Sequence, residues 1–326
     1  MNQKIVGMIT EYSGLNQCDW LWKQTPHPFG IWGNIQMLAT AEHPDFLLLY
    51  NFDKFPGLKP QKQQDAGIRG ILNWIRKSPQ KKEPDFQTLL RGVPKERIIS
   101  LVREPPFEEK QAKRIREYQQ AELYCGYVSG PDELAPIPDY MPAIWYVGNS
   151  FRDLNEMQPP KKQRQRCWIT SGISRTENHR QRLAFLKLLC ESDLEFDLYG
   201  RGLPDWAKGY GKVDDKWNIM SPYYYNLAIE NYAANDWYVS EKLWDALLAW
   251  CLPIYYGGTA ADKLLPPGSF LRLPSLDEKG LAYIKDVTAT LDAWYEAKDA
   301  IAQARQVILH ELNLLNFLSN LVEKLG

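Results

Sequence analysis

The sequence predicts an α/β protein with two units, each built on a parallel β-sheet. In both halves of the chain, short apolar runs of strand length alternate with segments long enough for crossover helices. A polar, charged stretch with two prolines, residues 148–166, separates the halves and predicts the connection between domains. The length of 326 residues suits two domains better than one core.

The first half contains three apolar runs that predict buried strands: Ile5–Thr10, Phe46–Tyr50 and Ile98–Val102. A parallel sheet covered by helices on both faces has strands of this continuous apolar kind. One helix is predicted between the second and third runs, at Ile68–Arg76, and a stronger, charged one after the third run, at Glu108–Glu122.

Tryptophans and glycines follow the first strand and form one candidate ligand site. Open parallel sheets bind ligands beyond the carboxyl ends of their strands. Trp20, Trp32 and Asn34 could therefore floor a ligand cleft. Ordinary packing of a surface loop explains these residues at least as well.

A single carboxylate, Glu104, follows the third strand and is succeeded by two prolines. Prolines restrict the backbone, so this carboxylate would project into the crevice from a rigid stem. Taken alone, Glu104 could also be a solvated loop residue or an ion-pair partner of Arg103.

The second half opens with a βαβ unit formed by Cys167–Thr170, Asn178–Cys190 and Phe196–Tyr199. The last strand ends in Arg201 between two glycines. Glycines allow the backbone to approach a ligand closely, and a guanidinium can bind two phosphate oxygens at once. A turn with a solvent-facing arginine is the simpler alternative.

Residues 224–258 then predict a strand at Tyr225–Ile229, a helix capped by Ser240, and a strand at Pro253–Tyr256. Lys242 lies in the first turn of that helix, where a cation opposes the helix dipole. A bound phosphate would remove this penalty, because free backbone amides and an ammonium form an anion site. Pairing of Lys242 with a neighbouring carboxylate is the alternative.

Composition excludes several functions. A net charge of −1 provides no field for binding a nucleic acid backbone, and no apolar run reaches the length of a membrane span. The five cysteines are scattered, and the chain enters a strand at once without a signal peptide. These features predict a soluble cytoplasmic protein of bacterial origin. The pair Asp214-Asp215 lacks the spacing of a metal-binding motif, so no metal site is predicted.

The second half resembles the alpha-1,3/1,4-fucosyltransferase family, glycosyltransferase family 10. The resemblance rests on Glu230-Asn231, then Tyr238 to Trp244 (YVSEKLW), then Pro253 to Gly257 (PIYYG), in this order. The strand ending in Tyr-Gly-Arg at position 201 fits the same family pattern. The chain departs from it at Ile229, usually Phe, at Gly172, usually Asn, and in the loop that follows Asn231.

The resemblance implies a GT-B fold, in which two Rossmann-like domains face each other across a cleft. Residues 1–148 would form the acceptor-side domain and residues 149–300 the donor domain. Residues 301–326 would form a C-terminal helix that packs back on the first domain, although its apolar face could equally form a homo-oligomer contact.

The implied reaction is an inverting transfer of L-fucose from GDP-beta-L-fucose to the 3- or 4-hydroxyl of a glycan acceptor. Glu104 would be the general base, and no cofactor is required, although a divalent metal could stimulate. The alternatives are another GDP- or UDP-sugar, or a non-catalytic glycan-binding protein. Contacts with the acceptor are expected from the loops after Ile9, Tyr50 and Val102, and Trp20, Trp32 and Asn34 are candidate acceptor-binding residues.

The implied donor-binding residues form one set, with two further candidates. The set is Arg201, Glu230, Asn231, Tyr238, Ser240, Glu241 and Lys242. The further candidates are Ser171 and Arg180.

Overall fold

The computed structural model describes residues 3–10, 21–56, 58 and 85–326. This part of the chain forms two mostly parallel sheets, one in each half, which confirms the predicted α/β class. The predicted helix Ile68–Arg76 and the candidate ligand residue Trp20 lie outside the described residues.

Within the described residues, the first sheet contains seven strands: β1 (Lys4–Thr10), β2 (Ile31–Trp32), β3 (Ile35–Met37), β4 (Phe46–Tyr50), β5 (Ile98–Leu101), β6 (Tyr127–Gly130) and β7 (Ile137–Pro138). Their spatial order is β2-β3-β1-β4-β5-β6-β7, and only the β2–β3 pair is antiparallel among the pairs described. Every residue of β4 is buried, because the centre of this sheet is covered on both faces.

Helices α1 (Phe86–Leu89) and α2 (Gln111–Tyr124) pack against this sheet, whereas the next helix, α3 (Phe151–Glu156), contributes Phe151 and Leu154 to the core of the second sheet. The charged segment predicted as one helix begins as a 3₁₀ turn, Glu108–Lys110, and continues as α2. Ser150 caps α3 and makes a capping box with Asp153. Residues 148–166 are therefore not wholly a linker, because they contain α3 and the first residues of the next strand.

Five parallel strands form the second sheet within residues 164–272, all of which the structure describes: β8 (Arg164–Ser171), β9 (Asp197–Arg201), β10 (Tyr223–Ile229), β11 (Leu252–Tyr256) and β12 (Leu271–Arg272). Their order is β12-β11-β10-β8-β9. The central strand β10 pairs with β8 on one side and β11 on the other, so nearly all of its residues are buried.

The remaining described helices are α4 (Glu177–Glu191), α5 (Lys216–Met220), α6 (Glu241–Leu248), α7 (Ala260–Leu264), α8 (Glu278–Val287), α9 (Asp292–Gln306) and α10 (Leu314–Leu325). In α6, the cap Ser240 accepts a hydrogen bond from the amide of Lys242, as the sequence predicts. The apolar face of α6 is buried against the second sheet. Asp215 caps α5, so the Asp214-Asp215 pair marks a helix start.

Residues 301–326 do not form one helix. A π-helical turn, Val307–Glu311, follows α9, and Asn313 then caps α10 by accepting the amide of Leu315 at 2.8 Å. The break is where the chain crosses to the first sheet: Ala143 hydrogen-bonds the residues on both sides of Asn313. The apolar face of α10 packs into the core of the first sheet, which includes Phe46. Among the described residues, no helix is both long and apolar enough to cross a membrane.

Candidate active site

A cleft with a volume of about 770 Å³ lies where the carboxyl ends of the two sheets meet. The first sheet contributes the ends of β4 and β5, including Tyr50 and Glu104. The second sheet contributes the ends of β8 and β9 and the start of α6. Ligands of open parallel sheets bind at such edges, because the loops after the strands are free to carry functional side chains.

The start of α6 is organised by one buried carboxylate, Glu230, at the end of β10. Its Oε1 accepts the backbone amide of Ser240 at 2.8 Å, and its Oε2 accepts the Ser240 hydroxyl at 2.6 Å. The ammonium of Lys242 donates to the same Oε2 at 3.1 Å and to Ser240 Oγ at 3.0 Å. Glu230 therefore supports the cleft from behind, while Ser240 and Lys242 line it.

Glu241 is held ionised by three cations. Burial alone would raise the pKa of its carboxyl, but Lys242, Lys216 and Arg103 outweigh that effect and lower the pKa to about 2. Conversely, burial would lower the pKa of the Lys242 ammonium, but the carboxylates of Glu230 and Glu241 raise it. Both groups are charged at neutral pH and face the cleft.

A second buried ion pair joins α5 to α6. The Lys216 ammonium lies 2.5 Å from Asp245 Oδ2, and Asp245 Oδ1 accepts the amide of Tyr146 at 2.7 Å. The Lys216 ammonium also lies 5.4 Å from the centre of the Tyr146 ring. This network ties the segment between the two sheets to α6 and places Lys216 on the cleft wall.

Close backbone contact between β8 and β9 carries Arg201 into the cleft. A side chain at Gly172 would place its Cβ 1.6 Å from the carbonyl oxygen of Gly202, and one at Gly200 would lie 1.6 Å from the carbonyl oxygen of Thr170. Only glycine fits at either position. The departure from the family's usual Asn at position 172 thus has a steric reason: the neighbouring strand end occupies the space of a side chain.

Arg182 in α4, rather than Arg180, reaches the cleft. Its Nη1 donates to Asn231 Oδ1 at 2.6 Å, and its Nη2 donates to the carbonyl of Ser171 at 2.7 Å. Burial lowers the pKa of this guanidinium to about 10, so it remains charged at neutral pH. Arg180 instead pairs with Glu177 at 2.7 Å on the exposed side of the helix. Arg182 therefore orders two of the sequence-predicted candidates, Asn231 and Ser171.

His179 also lines the cleft, at the start of α4. Its Nδ1 accepts the amide of Thr176 at 3.2 Å and lies 2.7 Å from the Thr176 hydroxyl. Burial, followed by the nearby charges of Arg182, Lys110, Lys242 and Arg175, lowers the pKa of the imidazole to about 4. The ring is consequently neutral at pH 7.

Glu104 is contributed to the cleft by the first unit, whereas the helix starts belong to the second, and it is exposed to solvent. Its backbone is fixed: Arg114, a buried residue of α2, donates from Nη2 to the carbonyls of Glu104 at 2.6 Å and Pro105 at 3.0 Å. The preceding amide, that of Arg103, donates to the side chain of Asn51. Hydrogen bonds thus fix the backbone on both sides of the residue that carries this carboxylate.

The cleft carries an excess of positive charge. Among the described residues that line it, three have carboxylates (Glu104, Glu241 and Asp245). Eight are cationic: Arg103, Lys110, Arg175, Arg182, Arg201, Lys212, Lys216 and Lys242. Such an arrangement attracts polyanions and stabilises negative charge that develops on a leaving group.

Most of the sequence-predicted site residues come together in this cleft. Those that line it are Glu104, Ser171, Arg201, Asn231, Tyr238, Ser240, Glu241 and Lys242. Trp32 and Asn34 do not: the Trp32 ring packs edge-on against Phe151, and Asn34 accepts a hydrogen bond from Ser319. In the described part of the chain, no group of three or more His, Cys, Asp or Glu side chains is placed to hold a metal ion.

Sequence reasoning missed Arg182, His179 and the Lys216–Asp245 pair. A helical wheel of α4 could have placed Arg182 on the buried face with Phe185, Leu186 and Leu189. For Lys216 no local signal exists, because its partner lies 29 residues further along the chain.

Two Rossmann-like units whose strand ends face each other across a cationic cleft are the architecture of GT-B glycosyltransferases. Residues 159–296 match the family model described as Glycosyltransferase family 10 (fucosyltransferase) C-term. The second unit is therefore similar to the C-terminal domain of the fucosyltransferases of family 10, as its motifs predict.

Curated fucosyltransferases are similar to part of this chain. Alpha-(1,3)-fucosyltransferase C of Drosophila melanogaster is 41% identical over 105 residues, which are 31% of this chain and 24% of that protein. The human 3-galactosyl-N-acetylglucosaminide 4-alpha-L-fucosyltransferase FUT3 is 34% identical over 86 residues, 26% of this chain and 22% of that protein. The chain thus spans about a quarter of the length of the curated relatives it matches.

A crystal structure of an Anabaena protein in complex with UDP and glucose has a similar fold. It aligns over 99% of both chains with a TM-score of 0.52 at 12% sequence identity. At this identity the similarity concerns the fold alone, and it extends the GT-B assignment to the first unit.

Proposed function

We propose that this protein transfers L-fucose from GDP-beta-L-fucose to a hydroxyl group of a glycan, with inversion at the anomeric carbon. The observation that carries the proposal is that the same cleft is lined by one carboxylate of the first unit and by several cationic side chains of the second unit. The family match of residues 159–296 supports fucose as the transferred sugar.

In the proposed reaction, the acceptor oxygen attacks the anomeric carbon of fucose from the face opposite the diphosphate. A new carbon–oxygen bond forms as the bond between the anomeric carbon and the phosphate oxygen breaks. The electron pair of that bond leaves with GDP, and the acceptor proton passes to the carboxylate of Glu104. One carboxylate suffices because a sugar hydroxyl takes the place that water has in an inverting glycosidase.

The leaving diphosphate would be bound by three side chains from separate elements: Arg201 at the end of β9, Lys242 at the start of α6 and Arg182 in α4. Fixed cations around a partly enclosed site stabilise the charge that develops on the leaving oxygen. Glu241, which is ionised, would accept hydrogen bonds from sugar or ribose hydroxyls. His179, which is neutral and uses Nδ1 as an acceptor, has Nε2 available as a donor towards the same ligand.

Nucleotide selectivity tests this proposal most simply. A ligand that binds only the folded protein stabilises it, by about 2.7 kcal/mol at 100 times its Kd. GDP should therefore raise the melting temperature more than UDP does, and the protein should release GDP from GDP-fucose with N-acetyllactosamine present. Stabilisation by UDP and not by GDP would indicate a different sugar nucleotide, and stabilisation by neither would contradict a transferase.

A matched pair of arginine variants locates the binding site. Arg201→Gln should weaken GDP binding, because it removes an exposed cation of the cleft. Arg180→Gln should leave GDP binding unchanged, because Arg180 is equally exposed but pairs with Glu177 outside the cleft. Equal effects of the two variants would show that the diphosphate does not bind where we propose.

A further inference from the structure

Phe107 joins the segment that carries the proposed base to the second unit. It follows Glu104 by three residues, and it is only 4% exposed. Its ring centre lies 5.6 Å from that of His179, in the first turn of α4. The ring centre of Tyr232, in the loop after β10, lies 6.1 Å away on another side. A side chain of the first unit is therefore buried against two side chains of the second, and we call this pair, His179 and Tyr232, the Phe107 seat.

The contacts of the seat are specific in geometry. The rings of Phe107 and Tyr232 are inclined at 87°, which is an edge-to-face arrangement. Aromatic pairs prefer this arrangement because the positive edge of one ring meets the negative face of the other. The Lys110 ammonium lies 5.4 Å from the centre of the Phe107 ring. The position of the ring is thus determined by several directional contacts.

The backbone between Glu104 and Phe107 is short and stiff. Two prolines occupy it, and proline restricts the φ angle. The amide of Phe107 donates to the carbonyl of Pro105 at 3.0 Å, and Arg114 donates to the same carbonyl at 3.0 Å. A displacement of the Phe107 ring would therefore move Glu104 with it.

The loop of residues 231–237, in which the chain departs from the family pattern, contacts the first unit at two further points. Asn235 donates from Nδ2 to the carbonyl of Pro131, after β6, at 2.7 Å. The Trp237 ring centre lies 5.0 Å from that of Tyr140, which follows β7. Together with the contact of Tyr232, these contacts place the loop as a bridge between the two units.

The same loop is fixed within the second unit. Asn235 Oδ1 accepts the amides of Trp237 at 3.1 Å and Tyr238 at 3.0 Å. The hydroxyl of Thr259 donates to Asp236 at 2.5 Å. A side chain at Gly258 would place its Cβ 1.9 Å from the carbonyl oxygen of Asn235, so the loop lies directly on the chain after β11. The seat is consequently supported by the second unit.

From these contacts we infer that Phe107 is a positioning residue, which sets the place of Glu104 relative to the donor side of the cleft. The inference rests on the proposed transferase function. His179 and Asn231 line the cleft, so the elements that would face the donor also hold the segment of the base. A base must lie within hydrogen-bond reach of the proton it accepts, and a displacement of about 1 Å can cost about 10² in rate.

The test measures kcat and the acceptor KM for transfer from GDP-fucose to N-acetyllactosamine, together with the Kd for GDP and the melting temperature. Phe107→Leu loses the ring contacts but keeps an apolar side chain. It should lower kcat about 10- to 100-fold while the Kd for GDP and the acceptor KM stay unchanged.

Tyr232 supplies a second test, which does not depend on folding of the Phe107 variant because Tyr232 is only half-buried. Tyr232→Ala removes the edge-to-face partner and should also lower kcat. Tyr232→Phe keeps the ring and should restore the wild-type rate. If both residues act through one seat, the double variant Phe107→Leu/Tyr232→Ala should be no slower than the slower single variant.

Tyr295→Ala is the matched control. This tyrosine is 58% exposed, and its ring lies 5.2 Å from that of Trp294 and 6.1 Å from that of Tyr224. These three residues do not line the cleft. Loss of this aromatic ring should therefore leave kcat unchanged.

The inference is overturned if Phe107→Leu folds and keeps the wild-type kcat, or raises only the acceptor KM. It is equally overturned if Tyr232→Phe is as slow as Tyr232→Ala, or if the effects of the single variants multiply in the double variant. Any of these results, with normal turnover by the wild type, contradicts the positioning role alone. Absence of turnover in the wild type contradicts the proposed function, and the inference with it.

Discussion

The carboxylate of Glu230 and the ammonium of Lys242 form an ion pair at 3.1 Å beneath the floor of the cleft, and the Glu230 side chain is fully buried. This pair explains why a cation is tolerated in the first turn of α6. Glu230 also accepts the amide and hydroxyl of Ser240, so one side chain fixes the helix cap and the lysine together. Contacts within the protein therefore hold the start of α6 in place.

Glu230→Gln should lower the free energy of unfolding by about 3 kcal/mol, because it leaves a largely buried ammonium with only the more distant carboxylate of Glu241, at 3.9 Å, as its counter-charge. Urea unfolding, followed by circular dichroism, measures this change. The double variant Glu230→Gln/Lys242→Met should regain part of the lost stability, since both charges are then gone. The affinity of this double variant for GDP should be low, because it lacks the Lys242 ammonium. Full recovery of GDP binding in the double variant would refute the role of Lys242.

Arg114→Gln should reduce kcat about 10²-fold while GDP affinity stays unchanged. The reason is that Arg114 holds the backbone of Glu104 and Pro105 and so positions the proposed base, and small displacements of reacting groups cost about that much. Arg114→Lys should recover part of the rate. The control is Arg116→Gln, an exposed arginine of the same helix. If Arg114→Gln instead raises only the KM for the acceptor, Arg114 contributes to binding and not to the position of Glu104.

The stability of the protein should fall as the pH decreases from 6.5 to about 4 because of His179. The pKa of this imidazole is 6.5 in a model compound and about 4 in the fold, where burial and then the neighbouring cations disfavour its charge. In that window the unfolded chain binds a proton that the folded chain does not, which favours unfolding as the pH falls. One such proton contributes at most about 1.4 kcal/mol per pH unit.

The variant His179→Gln isolates that contribution. Glutamine at this position of a capping box can still bond the amide of Thr176, but it does not titrate. Unfolding free energies of both proteins at several pH values should therefore diverge between pH 6.5 and 4, with the wild type showing the steeper loss. Parallel curves would show that His179 is not the titrating group.

Two glycine variants should differ in their cost. Gly172→Ala should destabilise the protein by about 3 kcal/mol, because its Cβ would collide with the carbonyl of Gly202 and push the ends of β8 and β9 apart. Gly202→Ala places its Cβ in open space and should cost only about 1 kcal/mol, from the positive φ of +59°. Urea unfolding of both variants gives the comparison. The reverse order would contradict the close approach of the two strand ends.

The sequence predicts local structure well where caps and apolar periodicity agree. Ser240 marks the start of α6, and the buried runs on either side become β10 and β11 within a residue or two. These features depend on neighbours in the chain, so the sequence contains the information directly.

Contacts between segments that are distant in the chain could not be predicted from the sequence in the same way. Arg180 and Arg182 are about 200° apart on a helix, and which of them faces the cleft depends on how α4 packs on the sheet. The pairing of Lys216 with Asp245 depends in the same way on the packing of α5 against α6. The split of residues 301–326 into α9, a π-helical turn and α10 follows from the crossing to the first sheet, which a continuous apolar pattern does not reveal.

The most direct test of the account is the rate at which the Glu104→Gln variant releases GDP from GDP-fucose in the presence of acceptor, measured beside its affinity for GDP. Glutamine has the shape of glutamate but cannot accept the acceptor proton. We predict that turnover falls by about 10²–10⁴-fold while the dissociation constant for GDP is unchanged. Wild-type turnover in the variant would contradict the assignment of Glu104 as the general base.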